Sequence, residues 1–273
     1  MTLLDGKATA QKVKDYLKKI VDSGVHRKLV IVQVGDNPAS NTYIKNKVKA
    51  CGYVGVECEV KHFEESITEE KLRDEIDVLN EDESVNGVIV QLPLPEHIIE
   101  GRVTNRIKPI KDVDGFTNIN AGRLMHGGCL FVPATPLGIV KLLEKYNIET
   151  DGKECVIVGR SNIVGKPMAL LMLDKNATVT ITHSHTKNLK EVCKRADILI
   201  VAIGKPKMIN REYIKEGAVV IDVGINRDEN GKLCGDVDFD DVKDIVSAIT
   251  PVPGGVGPMT VAMLLNNVVR GRE

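Results

Sequence analysis

The feature that most constrains this chain is an alternation. Short, continuously apolar runs rich in Val and Ile are separated by stretches with helical spacing. The runs are Leu29–Val34, Val54–Val60, Val85–Leu92, Cys155–Val158, Thr178–Thr182, Ile198–Ile203, Ala218–Val223 and Ile245–Ile249. A strand with one wet face alternates apolar and polar residues, whereas a strand covered on both faces is apolar throughout. Between the runs, apolar residues recur three or four apart, as at Ala10, Val13, Leu17 and Val21, and at Leu72, Ile76 and Leu79. Ser66 opens S-I-T-E ahead of the latter group, a capping-box pattern. Pro136 and Pro167 stand at the first turns of predicted helices Leu137–Tyr146 and Met168–Leu173. This alternation predicts an α/β protein with a mostly parallel sheet.

Lys108–Pro136 is weakly periodic and rich in Gly, Asn and Asp, and a fresh strand–turn–helix series begins at Lys153. The expectation is therefore two α/β lobes with a cleft between them: residues 1–135, then a nucleotide-binding lobe over residues 136–258. A closing helix in residues 259–273 is expected to return to the first lobe.

Composition narrows the function classes. Lys and Arg total 37 against 38 Asp and Glu, so a dedicated nucleic-acid binder is not expected. With no Trp and 3% aromatics, base-stacking platforms have little to be built from. No apolar run approaches the roughly 20 residues that span a bilayer. Asp5 and Lys7 interrupt the place where a signal peptide needs an apolar stretch. The six cysteines are scattered, without a C-x-x-C pair, and are read as reduced thiols of a cytoplasmic protein with no bound metal.

Several motifs carry chemistry. Cys155–Val158 runs into Gly159-Arg160-Ser161-Asn162-Ile163-Val164-Gly165 and then a helix. Glycines at the end of a buried strand let the backbone approach a pyrophosphate, and the helix N-terminus supplies N–H groups. The spacing is not G-x-G-x-x-G, and a purely structural turn is the alternative. The next strand ends at His183-Ser184-His185-Thr186, without the acidic residue that holds ribose hydroxyls in NAD enzymes. Arg160, Ser184 and His185 favour a 2′-phosphate, hence NADP, with NAD as the second choice; a solvated loop is the bland reading. Tyr43 and Lys47 lie four apart on one helix face after Asn37-Pro38-Ala39-Ser40, with Ser40 as the expected cap. A Tyr and a Lys so placed can relay protons if the Lys is desolvated, or they form a solvated surface pair. Gln91 closes an apolar strand, where α/β folds place ligands. Lys111-Asp112-Val113-Asp114-Gly115 is an acidic turn, open to a structural role, a cation or an amino heterocycle. Thr250–Thr260 holds three Pro and three Gly, which points to a shaped loop lining a cofactor or cleft.

Together, "VGDNPASNTYIKNKVKACG", "GVIVQLPLP", "KDVDGF", "FVPATPLG", "IVGRSNIVGKPMALLM", "GAVVIDVGIN" and "ITPVPGGVGPMTVAML" closely resemble the bifunctional methylenetetrahydrofolate dehydrogenase/methenyltetrahydrofolate cyclohydrolase family. They occur in the family's order and span nearly the whole chain. The resemblance implies NADP-dependent oxidation of 5,10-methylenetetrahydrofolate, followed by hydrolysis of the methenyl product to 10-formyltetrahydrofolate. It implies Lys47 as the acid–base group, with Tyr43 and Gln91 beside it. It also implies folate contacts at Tyr43, Asp114, Pro253 and Gly254. Cofactor contacts are implied at Gly159, Arg160, Ser161, Gly165, Ser184 and Ile225. A homodimer paired through the nucleotide domains and a metal-free reaction complete the expectation. One departure is the stretch THSHTKN, where many relatives carry Arg or Lys near Ser184 and this chain has His185, with Lys187 as a substitute.

Overall fold

A computed structural model describes residues 1–271. In chain order its elements are β1 (Thr2–Leu3), α1 (Gly6–Asp22), β2 (Lys28–Val34), α2 (Pro38–Val54), β3 (Glu57–Phe63), α3 (Glu69–Glu81), β4 (Gly87–Val90), α4 (Glu100–Thr104), α5 (Asn118–Met125) and α6 (Ala134–Lys145). There follow β5 (Glu154–Val158), α7 (Gly165–Asp174), β6 (Thr178–Thr182), α8 (Leu189–Cys193), β7 (Ile198–Val201), β8 (Val219–Asp222), β9 (Asn226–Arg227), β10 (Leu233–Cys234), α9 (Phe239–Val242), β11 (Ala248–Ile249) and α10 (Val256–Arg270). The chain divides into two compact units. One comprises Gln11–Ala134 with the described residues from Val261 on; the other comprises Met1–Ala10 and Thr135–Thr260.

The Gln11–Ala134 unit is built on a parallel three-stranded sheet in the order β3-β2-β4. The central strand β2 is buried from Leu29 onward, which explains its unbroken apolar run. Val30, Val32, Val88 and Val90 pack with Leu72, Ile76 and Leu79 of α3. Each such side chain contributes roughly 1.5–3 kcal/mol through burial. Thr68, not Ser66, caps α3: its Oγ1 accepts the Lys71 N–H at 3.3 Å. The helix starts two residues later than the S-I-T-E pattern places it, with Glu69 and Glu70 complementing the dipole of its first turn. At its far end the buried Lys111 ammonium donates to the carbonyls of Leu79 (2.8 Å) and Asp82 (2.6 Å). The run read as Val54–Val60 begins as helix, since α2 reaches Val54 and β3 starts at Glu57. The weakly periodic stretch before Pro136 contains α5, capped by Thr117.

The other unit holds a fully parallel six-stranded sheet, ordered β1-β11-β8-β7-β5-β6. Ile157, Ile198, Ile200 and Ile221 face Ile139 and Leu143 of α6 and Met168 and Met172 of α7. Their neighbours Val156, Val158, Leu199, Val201 and Val220 face Cys193, Ile209, Val237 and Val242 on the opposite side. Both sheet faces are thus covered, as the continuous apolar runs require. The first ten residues belong here rather than with 11–134, because Thr2 and Leu3 pair with Ala248 and Ile249 of β11.

Candidate active site and nucleotide site

In the Gln11–Ala134 unit, α2 carries Tyr43 and Lys47. Ser40 is not the cap of this helix. It lies in the first turn, its N–H donating to Asn37 Oδ1 at 3.1 Å and its hydroxyl to the Leu92 carbonyl at 3.3 Å. Lys47 Nζ donates to Gln91 Oε1 at 3.1 Å. Gln91 follows β4 directly and extends its ladder, its N–H donating to Val32 O at 2.9 Å, while its Nε2 donates to Leu92 O at 2.9 Å. The amide is thereby oriented with its oxygen toward the lysine. Tyr43, 40% exposed, shares the helix face of Lys47, and burial of its phenol pushes the hydroxyl pKa up.

The acidic turn is organised by Asp112, which is 1% exposed. Its carboxyl accepts the N–H groups of Phe116 (3.0 Å) and Thr117 (2.8 Å) and Nδ2 of Asn120 (2.8 Å). Gly115 has φ +70°, and a Cβ there would stand 2.8 Å from the Phe131 carbonyl, so glycine is required. The turn leaves Asp114 half-buried and within electrostatic reach of Lys47. Burial holds the Asp114 carboxyl above the usual carboxylate range, the Lys47 charge opposes that shift, and the Asp112 charge adds to it. Lys47 and Gln91, far apart in sequence, are thus brought into contact, and the Asp114 carboxyl feels the Lys47 charge. Asp112 and Lys111 are the structural members of the acidic motif.

In the other unit, Gly159 ends β5 with φ +125°, and a Cβ there would lie 2.3 Å from the Ala202 carbonyl. A Cβ at Gly165 would lie 2.2 Å from the Gly159 carbonyl. The two glycines therefore fold the loop tightly onto the N-terminus of α7. Ser161 Oγ accepts the N–H groups of Val164 (3.2 Å) and Gly165 (3.3 Å). Beyond β6, His183–Thr186 forms a tight turn closed by Thr186 N–H to His183 O at 2.9 Å, with Ser184 and His185 exposed. Burial lowers the His183 pKa, and the nearby charges of Arg160 and His185 lower it further. His185 stacks edge-on to His183 after β6, and the permanent charge nearby is that of Arg160.

Ile225 is 45% exposed and stands between two residues fixed by buried acids. Asp222 accepts the N–H groups of Gly224 (3.0 Å), Asp236 (2.9 Å) and Val237 (2.9 Å). Asp236 accepts those of Ile203 (2.7 Å), Gly204 (3.1 Å) and Lys205 (2.8 Å), and Nδ2 of Asn226 (2.8 Å). Burial pushes the Asp222 carboxyl up to about 7 against these amides. The sequence reading missed both acids; their signal was an Asp inside the apolar run Ala218–Val223 and a second in Gly235-Asp236. Pro253 and Gly254 lie in the loop before α10, where Gly254 O accepts the Lys7 N–H at 2.8 Å. A Cβ on Gly6 would meet Gly255 O at 1.8 Å, so this loop packs closely on the start of α1.

Comparisons with known proteins match a domain model to most of each part of the chain. Residues 4–114 match the model of the tetrahydrofolate dehydrogenase/cyclohydrolase catalytic domain, and residues 133–273 match the NAD(P)-binding domain. The bifunctional protein FolD of Agathobacter rectalis is 57% identical over 275 residues, covering 99% of each chain. The crystal structure of the bifunctional FolD methylenetetrahydrofolate dehydrogenase/cyclohydrolase from Campylobacter jejuni is 50% identical. It covers 99% of this chain and 98% of its own, with a TM-score of 0.96. The Trypanosoma brucei methylenetetrahydrofolate dehydrogenase-cyclohydrolase, complexed with NADP and an inhibitor, is 36% identical. It covers 98% of this chain and 96% of its own, with a TM-score of 0.93.

Proposed function

The chain belongs to the tetrahydrofolate dehydrogenase/cyclohydrolase family, and on that premise we propose that Lys47, held by Gln91, moves the proton in its hydrolytic step. The protein is a bifunctional enzyme of folate one-carbon metabolism. It oxidises 5,10-methylenetetrahydrofolate to the 5,10-methenyl form with NADP, then hydrolyses that product to 10-formyltetrahydrofolate. The observation that carries the lysine's role is the 3.1 Å contact from Lys47 Nζ to Gln91 Oε1 at the end of β4.

The methenyl carbon is cationic and electrophilic. Water adds to it and must lose a proton, which Lys47 Nζ accepts. As the adduct collapses, the bond from this carbon to N5 breaks. N5 leaves protonated, the formyl group stays on N10, and the net proton passes to solvent. Gln91 fixes the position of Nζ, and the Tyr43 ring packs on the folate. Asp114 accepts two hydrogen bonds, from the pterin amino group and the adjacent ring N–H, a bidentate match for a carboxylate.

The residues of the second unit suit a dinucleotide. A Cβ at Gly159 or Gly165 would strike backbone, so the turn lies tight on the start of α7, a strand–turn–helix junction of the kind that takes a pyrophosphate. Gly159, Ser161 and Gly165 hold the pyrophosphate there. Arg160 and Ser184 take the 2′-phosphate, and Ile225 offers an apolar contact. When bound, NADP+ supplies the hydride acceptor. Pro253 and Gly254 are assigned to the folate.

Two subunits pair through the nucleotide-binding units. This is supported by β6, an outer strand of the sheet on which Ile181 is 40% exposed. Among the described residues Cys51, Cys58, Cys155, Cys193 and Cys234 form no disulfide, which suits a reducing, cytoplasmic setting.

A spectrophotometric assay of the purified protein with 5,10-methylenetetrahydrofolate, run separately with NADP+ and NAD+, tests the reading. NADPH is expected to form with little build-up of methenyltetrahydrofolate. Accumulating methenyl product would remove Lys47 from the hydrolytic role.

A further inference from the structure

The turn that carries Asp114 is also held by a side chain of the last helix. Asn267 of α10 is 6% exposed, and its helix neighbours Leu264, Leu265 and Val268 are buried apolar residues. Its Nδ2 donates to the Val113 carbonyl at 2.8 Å and to the Val132 carbonyl at 2.9 Å. One amide nitrogen thus spends both hydrogens on two backbone segments. Those segments meet at Gly115, where a Cβ would stand 2.8 Å from the Phe131 carbonyl and 3.1 Å from Pro133 N.

The Val113 carbonyl belongs to the peptide plane that leads into Asp114. The plane that leads out is fixed too, because the Gly115 N–H donates to the Asp112 carbonyl at 3.0 Å. The Val113 side chain is fully buried and presses on the start of β4, where a Cβ on Gly87 would stand 2.7 Å from its Cγ1. With both planes pinned, only the side-chain torsions of Asp114 remain to aim its carboxyl.

We propose that Asn267 is a positioning residue for the folate: through the Val113 carbonyl it fixes the backbone from which Asp114 reaches the pterin. This rests on the reading of Asp114 as the pterin contact.

Docking of the helix alone does not call for an amide here. Apolar burial serves that purpose, and just past α10 a Cβ on Gly271 would stand 2.3 Å from Phe131 Cε1, so the ring already closes on this end. A buried amide costs stability unless it is paired, and Asn267 is paired with the one carbonyl that adjoins Asp114. The residue type matches the task. Asn offers two hydrogens on one nitrogen, Ser offers one, and an ionised Asp offers none. A bidentate carboxylate contact depends on direction as well as distance, so a small rotation of the 113–114 peptide loses one of its two hydrogen bonds.

The test compares steady-state rates of the full chain carrying Asn267→Leu, Asp114→Asn or both. Asn267→Leu keeps the size of the side chain and removes both hydrogen bonds. Its KM for 5,10-methylenetetrahydrofolate is expected to rise about tenfold, as for one lost hydrogen bond to a charged group. Its kcat is expected to change less, and its KM for NADP+ to stay as in the wild type. In the Asp114→Asn background the same substitution is expected to raise the folate KM less than about twofold, because the contact it serves is already gone. Asn267→Ser keeps one donor, is expected to show a smaller rise, and decides the test if Asn267→Leu does not fold. A wild-type folate KM in the folded Asn267 variants, beside a raised one in Asp114→Asn, would overturn the proposal. Equal rises in the two backgrounds, or parallel losses with folate and NADP+, would also overturn it, since Asn267 would then support the fold at large. An unchanged folate KM in Asp114→Asn would instead remove Asp114 from the pterin, and with it the reading on which the proposal stands.

Discussion

Asp222 accepts the backbone N–H of Asp236 at 2.9 Å, and Asp236 in turn accepts three successive amides, from Ile203 to Lys205. One buried acid thus fixes the other, and together they tie the end of β8 to the loop after β7. The fit is close: a Cβ on Gly235 would stand 1.7 Å from Asp222 Oδ2, and one on Gly224 would stand 2.4 Å from the Asp236 carboxyl. Ile225 is held between Gly224 and Asn226, one bonded to each acid.

Removing the second acid exposes what it holds. Asp236→Ala leaves the amides of half-buried Ile203 and of the more exposed Gly204 and Lys205 without their acceptor, where a fully buried unsatisfied group costs about 1–3 kcal/mol and water offsets part of that. The expected outcome is a loss of roughly 1–3 kcal/mol in denaturant unfolding, together with a raised KM for NADP+. An unchanged unfolding midpoint would show that the loop does not depend on this carboxyl.

Discrimination between NADP and NAD is expected to centre on Arg160. Arg160→Ala removes the permanent charge near the His183–His185 turn and leaves the turn intact. The ratio of kcat/KM for NADP+ to that for NAD+ is expected to fall about tenfold or more, since hydrogen bonds to a charged group are worth about 1.5–3 kcal/mol. Equal losses with both cofactors would assign Arg160 to the shared pyrophosphate.

Folate binding is expected to weaken in acid. Burial raises the Asp114 carboxyl pKa, and only its ionised form accepts both pterin hydrogen bonds. Falling pH therefore protonates it above the ordinary carboxylate range, and the KM for methylenetetrahydrofolate should rise. Asp114→Asn should bind folate weakly at every pH, and the acid limb of the KM profile should flatten. A limb that persists in this variant belongs to another group.

Much of the architecture was legible because both-face burial leaves a signature. Ile157, Ile200 and Ile221 pack on one face of their sheet, and Val156, Leu199 and Val220 on the other, so the runs carry no polar alternation. Chain direction changes were harder to read. Val54 is as apolar as a strand residue but ends a helix, because α2 carries on until Gly55 (φ +91°) turns the chain. Thr68 and Asn37 hold helix starts assigned to Ser66 and Ser40, since every Ser, Thr or Asn near a helix start is a candidate and only backbone geometry selects one. The pairing of Lys47 with Gln91 joins residues on two different elements, as does the packing of Asp222 against Asp236. No local spacing encodes such contacts. Lys111 shows the same limit: inside an acidic motif, it serves the end of a helix about thirty residues earlier.

The most direct test of the account replaces the lysine. Lys47→Met keeps much of the side chain's length and apolar contact but removes the amine that meets Gln91. Methenyltetrahydrofolate hydrolysis by the purified variant is followed by the loss of methenyl absorbance, with folate and NADP+ binding measured by calorimetry on the same sample. The account predicts hydrolysis reduced by about 10²–10⁴-fold, the range of general acid–base catalysis, with both ligands still bound. Hydrolysis at the wild-type rate with intact binding would contradict it.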